Sequence, residues 1–560
     1  MDETQIYALV LGGLFASLVV ARLLSWLYQD FLRYKTWLLR LLVYPYLMRR
    51  HRLAGPWTRA QVIGYLLYLI ANIFSASFRV SSITAAESRT GILSLVNVVP
   101  LFFGLHLGFL ADLLGISLRT YHWIHSAAAS MSMALATTHV ILHAVIHGSV
   151  SLRARTQLYG VIVCLFLICL LFLLLNATKA ATSLLVLFAA RIKIVRRPSY
   201  ELFLRSHQII AALYAITIWR HVGSRSRSRI SLLCIQIIPG VFLSTVLLET
   251  AAIIIRNFAL RQPYARALIY KKGKAVSLSL SVPRPWNIRA GQYINLWIPG
   301  VSFRSFVTLQ SHPFTIASWT SGKAMSLDFL IEPRAGFTKL LAQVAERSER
   351  PYIAFFSGPH GTPVPVGSFG SVMMVASGFG IAAQLPYLKE LIEGYNRCEV
   401  RTRRIHLIWQ LREQGEETYA EDLVDKALQD DTLDNGYILR VSIFTENRPH
   451  DLVPLTKGTH GRLIFYSGTV DLDKMLSADL RGEYVNFHED GFSHIDGRES
   501  GSLVVTVAAN VALRDCLREA VLRQSTAYPS TRLFELEYQP LEIERTVWER
   551  IRDLLSGSVR

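Results

Sequence analysis

The chain of 560 residues is too long for one ordinary domain, and two or three are expected. Hydrophobic residues make up 51% of it, and the net charge is +18. Much of that charge stands in short loops beside apolar runs, where it orients membrane helices, so nucleic acid is excluded as a partner. The five cysteines (Cys164, Cys169, Cys234, Cys398 and Cys516) have no metal-ligand spacing, and a disulfide framework is excluded with them.

The apolar runs are concentrated before residue 256, which divides the chain into an N-terminal membrane half and a C-terminal soluble half. Spans are expected at 6–27, 61–78, 92–114, 121–147, 158–175, 200–220 and 230–255, each near the ~20 residues a bilayer requires. The first follows an acidic MDETQ and no A-x-A site comes after it, so it reads as an anchor, not a cleaved signal peptide. The next loop carries Arg33, Lys35, Arg40, Arg49, Arg50, Arg52 and Arg59, which puts it in the cytoplasm and the N-terminus outside. The crossings then return the chain to the inside at Arg256, and the basic loop of Arg191, Lys193, Arg196 and Arg197 also falls inside. A further apolar run at 180–190 either lengthens the fifth helix or lies at the interface. Arg225, Arg227 and Arg229 fall outside, outvoted by the other loops; the competing reading is that they attract anionic substrates.

The span at 121–147 carries His122, His125, His139, His143 and His147, and imidazoles within hydrocarbon are costly enough to mark function. His125 and His139 are fourteen positions apart, as are His207 and His221 on the sixth span. Fourteen residues turn within roughly 40° of whole turns and rise about 21 Å, so each helix presents two imidazoles on one face. One crossing separates the two helices, so they run parallel. His125 then shares the inner level with His207, and His139 the outer level with His221. The wheel alone also allows His125 with His143; the matched spacing decides for His139. Two imidazoles without a carboxylate or thiolate suit six-coordinate haem, while zinc would want further ligands.

Past residue 256 short alternating runs take over. Residues 267–280 and 293–298 read as strands broken by Pro283, Pro285 and Gly291, and strands of this kind up to Val366 predict a small antiparallel barrel. Within it, HPFTIAS at 312–318 offers Thr and Ser to a flavin. Gly336 and Thr338 precede an apolar helical run in the manner of a phosphate-binding helix N-terminus. From Gly367 the pattern becomes strand then helix. SVMMVASGFGIAAQL is a buried strand followed by a Gly-rich turn at Gly378 and Gly380, which is dinucleotide-binding logic, although Ala383 stands where a third glycine would. Residues 404–411 and 502–510 read as later strands, and 477–501 as a charged surface insertion.

These residues resemble the fungal ferric reductase group of the ferric reductase and NADPH oxidase superfamily. The paired histidines, YELF before His207, HPFTIAS, the Gly-Phe-Thr element and ASGFGIA stand in the family's order. The resemblance implies a multi-domain membrane protein: an α-helical transmembrane haem bundle, an antiparallel β-barrel FAD domain and an α/β Rossmann-like NADP domain. The expected divisions are 1–90 (N-terminal helices and cytoplasmic loop), 91–256 (haem domain), 257–366 (FAD domain) and 367–560 (nucleotide domain with the insertion). It implies that His125, His139, His207 and His221 ligate two haems b. His312, Pro313, Phe314, Thr315 and Ser318 would bind FAD, with Gly336 and Thr338 nearby. Gly358, Gly361, Gly378, Gly380 and Ile381 would line the NADPH side. Electrons would pass from cytosolic NADPH through FAD and the haems to a ferric chelate or cupric ion outside, with the plasma membrane as the location.

The chain departs from the family where a Cys-Gly-Pro is common after the last sheet strand, since Ala508, Ala509 and Asn510 stand there. Cys516 is too far along the next helix to replace that thiol. Ser126 stands in place of the family's basic residue after the inner ligand, leaving Arg119 or another residue for the haem propionates. Two other functions remain open: a superoxide-generating NADPH oxidase, and a non-catalytic haem membrane protein. Oligomeric state is not legible.

Overall fold

The structure, a computed structural model, describes residues 37–48, 56–103, 107–147, 200–225, 229–259, 264–301, 311–320, 322–334, 336–347, 350–432, 437–447, 455–457, 461–482 and 502–536. The spans expected at 6–27 and 158–175, the run at 180–190, Arg227 and most of the expected insertion lie outside the described residues.

A short hairpin of β1 (Tyr46–Met48) and β2 (Trp57–Thr58) leads into α1 (Arg59–Ser77). Thr58 and Gln61 form a capping box that satisfies the first N–H groups of α1. Ser82 caps α2 (Ile83–Val98), which continues as a 3-10 turn at Val99–Phe102 and is followed by α3 (Leu107–Leu113). The span expected at 92–114 is therefore corrected. The helix begins at Ile83, and Ile83–Phe102 and Leu107–Leu113 are bent by 94° relative to each other. Pro100 has no N–H to continue the helix, and α3 is instead held by the sheets below. The domain boundary expected at 90/91 falls inside α2.

The long helices are α4 (Leu118–His147), α5 (Tyr200–Arg225) and α6 (Arg229–Asn257). The helices α1, α4 and α6 are each long and apolar enough to cross a membrane. Small polar residues let α2 approach α4: Ser94 Oγ donates to Ser132 O at 2.8 Å, and Ser132 Oγ returns a bond to Ser94 O at 3.1 Å. Leu95, Val98, Met133, Tyr214, Ile218 and Ile235 pack inside the bundle, while Leu67, Phe74, Leu243 and Leu247 point outward, as a lipid-facing surface requires.

The second body is an antiparallel sheet of β3 (Ala265–Lys272), β4 (Ala275–Trp286), β5 (Tyr293–Trp297), β6 (His312–Thr315), β7 (Ser318–Trp319), β8 (Ala324–Ile331) and β9 (Tyr352–His360), with α7 (Phe337–Arg347) against it. The strand order is β6-β5-β9-β3-β4-β8-β7. Its end strands are consecutive in sequence, and Ile316 and Ala317 between them donate to Gln292 O and Asp328 O on either side. The sheet thus curls toward closure, but no ladder joins β6 to β7 among the described residues. The strand expected over 267–280 is two strands, turned at Gly273 with φ +59°. Pro283 and Pro285 did not end β4; they lie where its register with β8 shifts, at the irregularity proline tolerates.

The third body is a sheet of β10 (Ser371–Ser377), β11 (Arg404–Leu411), β12 (Leu439–Thr445), β13 (Leu455–Lys457), β14 (Leu463–Ser467), β15 (Leu503–Ala508) and β16 (Arg532–Glu535). Its order is β13-β14-β12-β11-β10-β15-β16, parallel except for β13. The helices α8 (Ile381–Asn396), α9 (Glu421–Asp430), α10 (Leu472–Arg481) and α11 (Val511–Gln524) supply the connections. The first residues of the expected insertion belong to α10. The order reverses between β10 and β15, so this is the switch point where doubly wound sheets bind their ligands.

Direct bonds join the bodies. Asn257, fully buried at the end of α6, bonds both backbone groups of Phe356 on β9, at 2.7 and 2.9 Å. On α3, Asp112 takes His360 Nδ1 at 2.6 Å and the Gly361 N–H at 2.8 Å. Leu533 N donates to Tyr44 OH at 3.1 Å. The sheets therefore sit at the end of the bundle where α4 begins and α6 ends.

Candidate functional site

On α4 and α5 the rings of His125 and His207 have centroids 6.4 Å apart. Two imidazoles that share one metal ion, each at about 2 Å from it, can stand roughly 6 Å apart between centroids, so this spacing would let His125 and His207 hold one ion between them. His125 Nδ1 is buried and makes no hydrogen bond. At the far end of α4, His139 Nδ1 lies 2.8 Å from the carbonyl oxygen of Glu87. Donation to that carbonyl fixes the tautomer and leaves the lone pair on Nε2, the atom a metal would take. Gly91 makes the approach possible, because a Cβ there would lie 3.0 Å from His139 Nδ1. His221 is half-buried on α5.

Glu87 was not legible as part of the site, since it precedes the span expected at 92–114. Its carboxylate bonds His143 Nδ1 at 2.7 Å, and the rings of His143 and His147 are 4.3 Å apart. Arg119 pairs with Glu535 at 2.8 Å and helps hold the bundle on the third body. Burial pushes the Glu535 carboxyl up, but Arg518 and Arg119 outweigh it and hold it below the usual range.

The residues expected at the flavin gather around β6 and α7. His312 stacks on Phe337 at 4.4 Å with 7° between the planes. Burial lowers the His312 pKa to about 4, so the imidazole is neutral near pH 7, and its Nε2 is buried without a hydrogen bond. That orphaned polar atom fits a ligand carrying donors and acceptors, as a flavin does. Phe314 and Thr315 are buried, and Pro313 and Ser318 half-buried, along the same edge. Gly336 has φ +74° with open space over it, directly before α7. Thr338 turns its hydroxyl to the Arg334 N–H at 2.8 Å, closing the loop ahead of that helix. Gly358 and Gly361 stand on β9 and just after it, against Tyr293, and so belong to this body and its junction with α3.

Of the residues expected at the nucleotide, Gly378, Gly380 and Ile381 stand at the switch point. Gly378 has φ +49°, with nothing within 4 Å of a built Cβ. Its carbonyl accepts from Trp409 Nε1 at 2.9 Å, and Phe379 stacks on Tyr419 at 4.6 Å, so aromatic rings fix the turn. At Gly380 a Cβ would lie 1.8 Å from the Ala508 carbonyl oxygen, which brings β15 hard against the turn. Ile381 is fully buried at the start of α8. Gln384 bonds Val375 O at 3.0 Å and Thr506 Oγ1 at 2.8 Å, tying α8 to both strands of the switch point. The departure at 508–510 has its own structural logic. Asn510 caps α11 by accepting from Leu513 N at 3.0 Å, and its N–H donates to Ser377 Oγ at 2.7 Å. Cys516 lies on exposed α11, where burial and then Asp473 push its thiol up, away from a reactive thiolate.

Three family models match this architecture: a ferric reductase like transmembrane component over residues 90–218, an FAD-binding domain over 261–394 and a ferric reductase NAD binding domain over 369–447. The chain is 24% identical over 340 residues to the ferric/cupric reductase transmembrane component 2 of Saccharomyces cerevisiae, covering 57% of this chain and 42% of that protein. It is 26% identical over 220 residues to the ferric reductase transmembrane component 4 of the same yeast, covering 38% and 28%. The chain thus spans less than half the length of either relative. A flavohemoglobin from Malassezia yamatoensis with bound FAD and heme matches over 71% of this chain and 92% of its own, at 12% identity and a TM-score of 0.35, too loose a likeness to carry an argument.

Proposed function

The chain belongs to the ferric reductase and NADPH oxidase superfamily, and from that premise we propose that it is a plasma-membrane metalloreductase. In this reading it passes electrons from cytosolic NADPH through FAD and two bis-histidine haems to a ferric chelate or cupric ion outside. That it is a membrane oxidoreductase with FAD- and NAD-binding domains rests on the matched domains themselves. The observation that carries the proposal furthest is the facing pair His125 and His207 at 6.4 Å, on helices rooted against the sheets.

When bound, these groups supply the redox chemistry, the nucleotide giving a hydride, the flavin dividing it into single electrons, and the haems carrying those across the bilayer. The chain's own residues position that chemistry. His125 and His207 would hold the inner haem, and His139 and His221 the outer one, with the Glu87 carbonyl orienting His139. Neutral His312 would face the flavin without adding charge, and Gly378 and Gly380 would admit the nucleotide's pyrophosphate to the backbone. The Asp112 clamp on His360 and Gly361 keeps the FAD domain against the end of the bundle where His125 lies.

The preference for NADPH is supported by Arg412, exposed just past the end of β11, where Rossmann sheets read the ribose 2′ position. Arg412→Asp is expected to raise KM for NADPH about tenfold or more, the worth of a charge-assisted bond, with little effect on NADH. Steady-state rates with the two nucleotides check this, and equal effects on both would remove Arg412 from the role.

The test of the whole reading is a reduced-minus-oxidised spectrum of the purified protein with NADPH, followed by ferric-chelate reduction and superoxide release in the same membranes. Fast haem reduction with chelate-dependent turnover is expected. Superoxide release without chelate reduction would make the protein an oxidase. No NADPH-driven haem reduction would leave it non-catalytic, the outcome that the replacement at 508–510 motivates.

A further inference from the structure

The outer end of the bundle holds a cluster that haem ligation does not use. One ligand atom each from Glu87, His143 and His147 lie within 4.8 Å of one another. His143 Nδ1 is 2.7 Å from Glu87 Oε1, and His147 Nδ1 is 3.1 Å from the His143 carbonyl, where an N–H donor leaves its Nε2 as the ligand atom. His143 Nε2 is buried and unbonded, so this imidazole carries a second nitrogen that the fold does not satisfy. His147 is exposed, which gives a solute access. The position along the helix points the same way. His147 lies about 43 Å along α4 from Leu118, more than the ~30 Å of a hydrocarbon core, so the two ends of the helix do not both lie within it.

Two imidazoles and one carboxylate with an open side form a donor set for borderline divalent ions, and among these Cu(II) binds nitrogen and oxygen sites most tightly. We propose that Glu87, His143 and His147 form a binding site for such an ion, Cu(II) foremost, at the outer face of the protein. Glu87 gives the site its purpose. Its carboxylate would hold the ion while its backbone carbonyl holds His139 at 2.8 Å, so one residue spans the ion and the outer histidine. The rings of His139 and His143 are 6.5 Å apart. The site rests on the metalloreductase reading for its purpose, as the place where the acceptor docks. Its ability to bind metal stands on the donor set alone.

The experiment is equilibrium binding of Cu(II) to the full-length protein in lipid nanodiscs, followed by the electron paramagnetic resonance of the bound ion, with Zn(II) as a redox-inert competitor. One tightly bound Cu(II) per chain with nitrogen hyperfine structure is expected, displaced by Zn(II). Glu87→Gln and His147→Asn are each expected to weaken binding at least about tenfold. Both leave the Glu87 carbonyl in place, so retained haem absorbance certifies that each variant has folded. Copper binding unchanged in the double variant with haem intact would overturn the site, as would the absence of nitrogen hyperfine structure. Binding that is lost in the variants, in a protein that reduces no metal, would uphold the site and overturn the metalloreductase reading. Metal reduction with binding unchanged in the variants would do the reverse.

Discussion

His125→Ala is expected to remove about half of the haem from the purified protein, one of two sites, and to stop NADPH-driven reduction of the haem that remains. The physical reason is distance: the levels of His125 and His139 are about 21 Å apart along the helix, and the inner level is the one nearest the sheets. His122→Ala, one turn earlier on the same helix, should keep both haems. The check is pyridine haemochrome content together with absorbance after NADPH and after dithionite. Full haem content in His125→Ala would sink the ligand register, whereas loss of all haem in both variants would mean only that the bundle had unfolded.

The second large effect is expected at Gly380. A Cβ there meets the Ala508 carbonyl oxygen at 1.8 Å, a backbone atom that cannot rotate away. Gly380→Val should therefore separate the turn from β15, at a cost of about 1–3 kcal/mol or more in the third body. Pyridine-nucleotide binding and NADPH-driven reduction should be lost, while dithionite still reduces the haems. Gly378→Ala is the contrasting change, with open space over the Cβ but a left-handed φ of +49°, and should cost only about 1–2 kcal/mol. Nucleotide affinity and the melting temperature of the soluble half measure both. Equal effects of the two would mean that strain, not contact with Ala508, governs the turn.

The parts legible in the sequence were those with a strict period or punctuation. The fourteen-residue spacing of the histidines is a helix property, and the structure brings His125 on α4 and His207 on α5 to 6.4 Å between ring centroids. Gly378 and Gly380 sit between a buried strand and an amphipathic helix, as the strand-turn-helix pattern announced. What was hidden depended on contacts distant in sequence. The sequence placed the span at 92–114, whereas α2 starts at Ile83, and the charged Glu87 and Arg89 lie in its first turns, where Glu87 meets His139 and His143 of α4. Asp112 looked like the end of a membrane span, yet it grips His360 and Gly361, some 250 positions later. Asn510 read as one third of a missing motif, whereas its position is that of a helix cap. The hairpin at Gly273 was missed although Lys271, Lys272, Gly273 and Lys274 interrupt the apolar alternation there and mark a turn.

Asn257 is the last residue of a membrane helix and, through both backbone bonds to Phe356, also a fixed point of β9. Two hydrogen bonds from one buried side chain thus tie the end of α6 to the sheet. A bilayer thicker or thinner than the helix prefers changes the tilt of a membrane helix, and in α6 the residue at its end is the one bonded to β9. The Asp112 clamp bears on the end of the same strand, at His360 and Gly361. A change in the tilt of α6 is therefore expected to bear on β9 and on its junction with α3 at once.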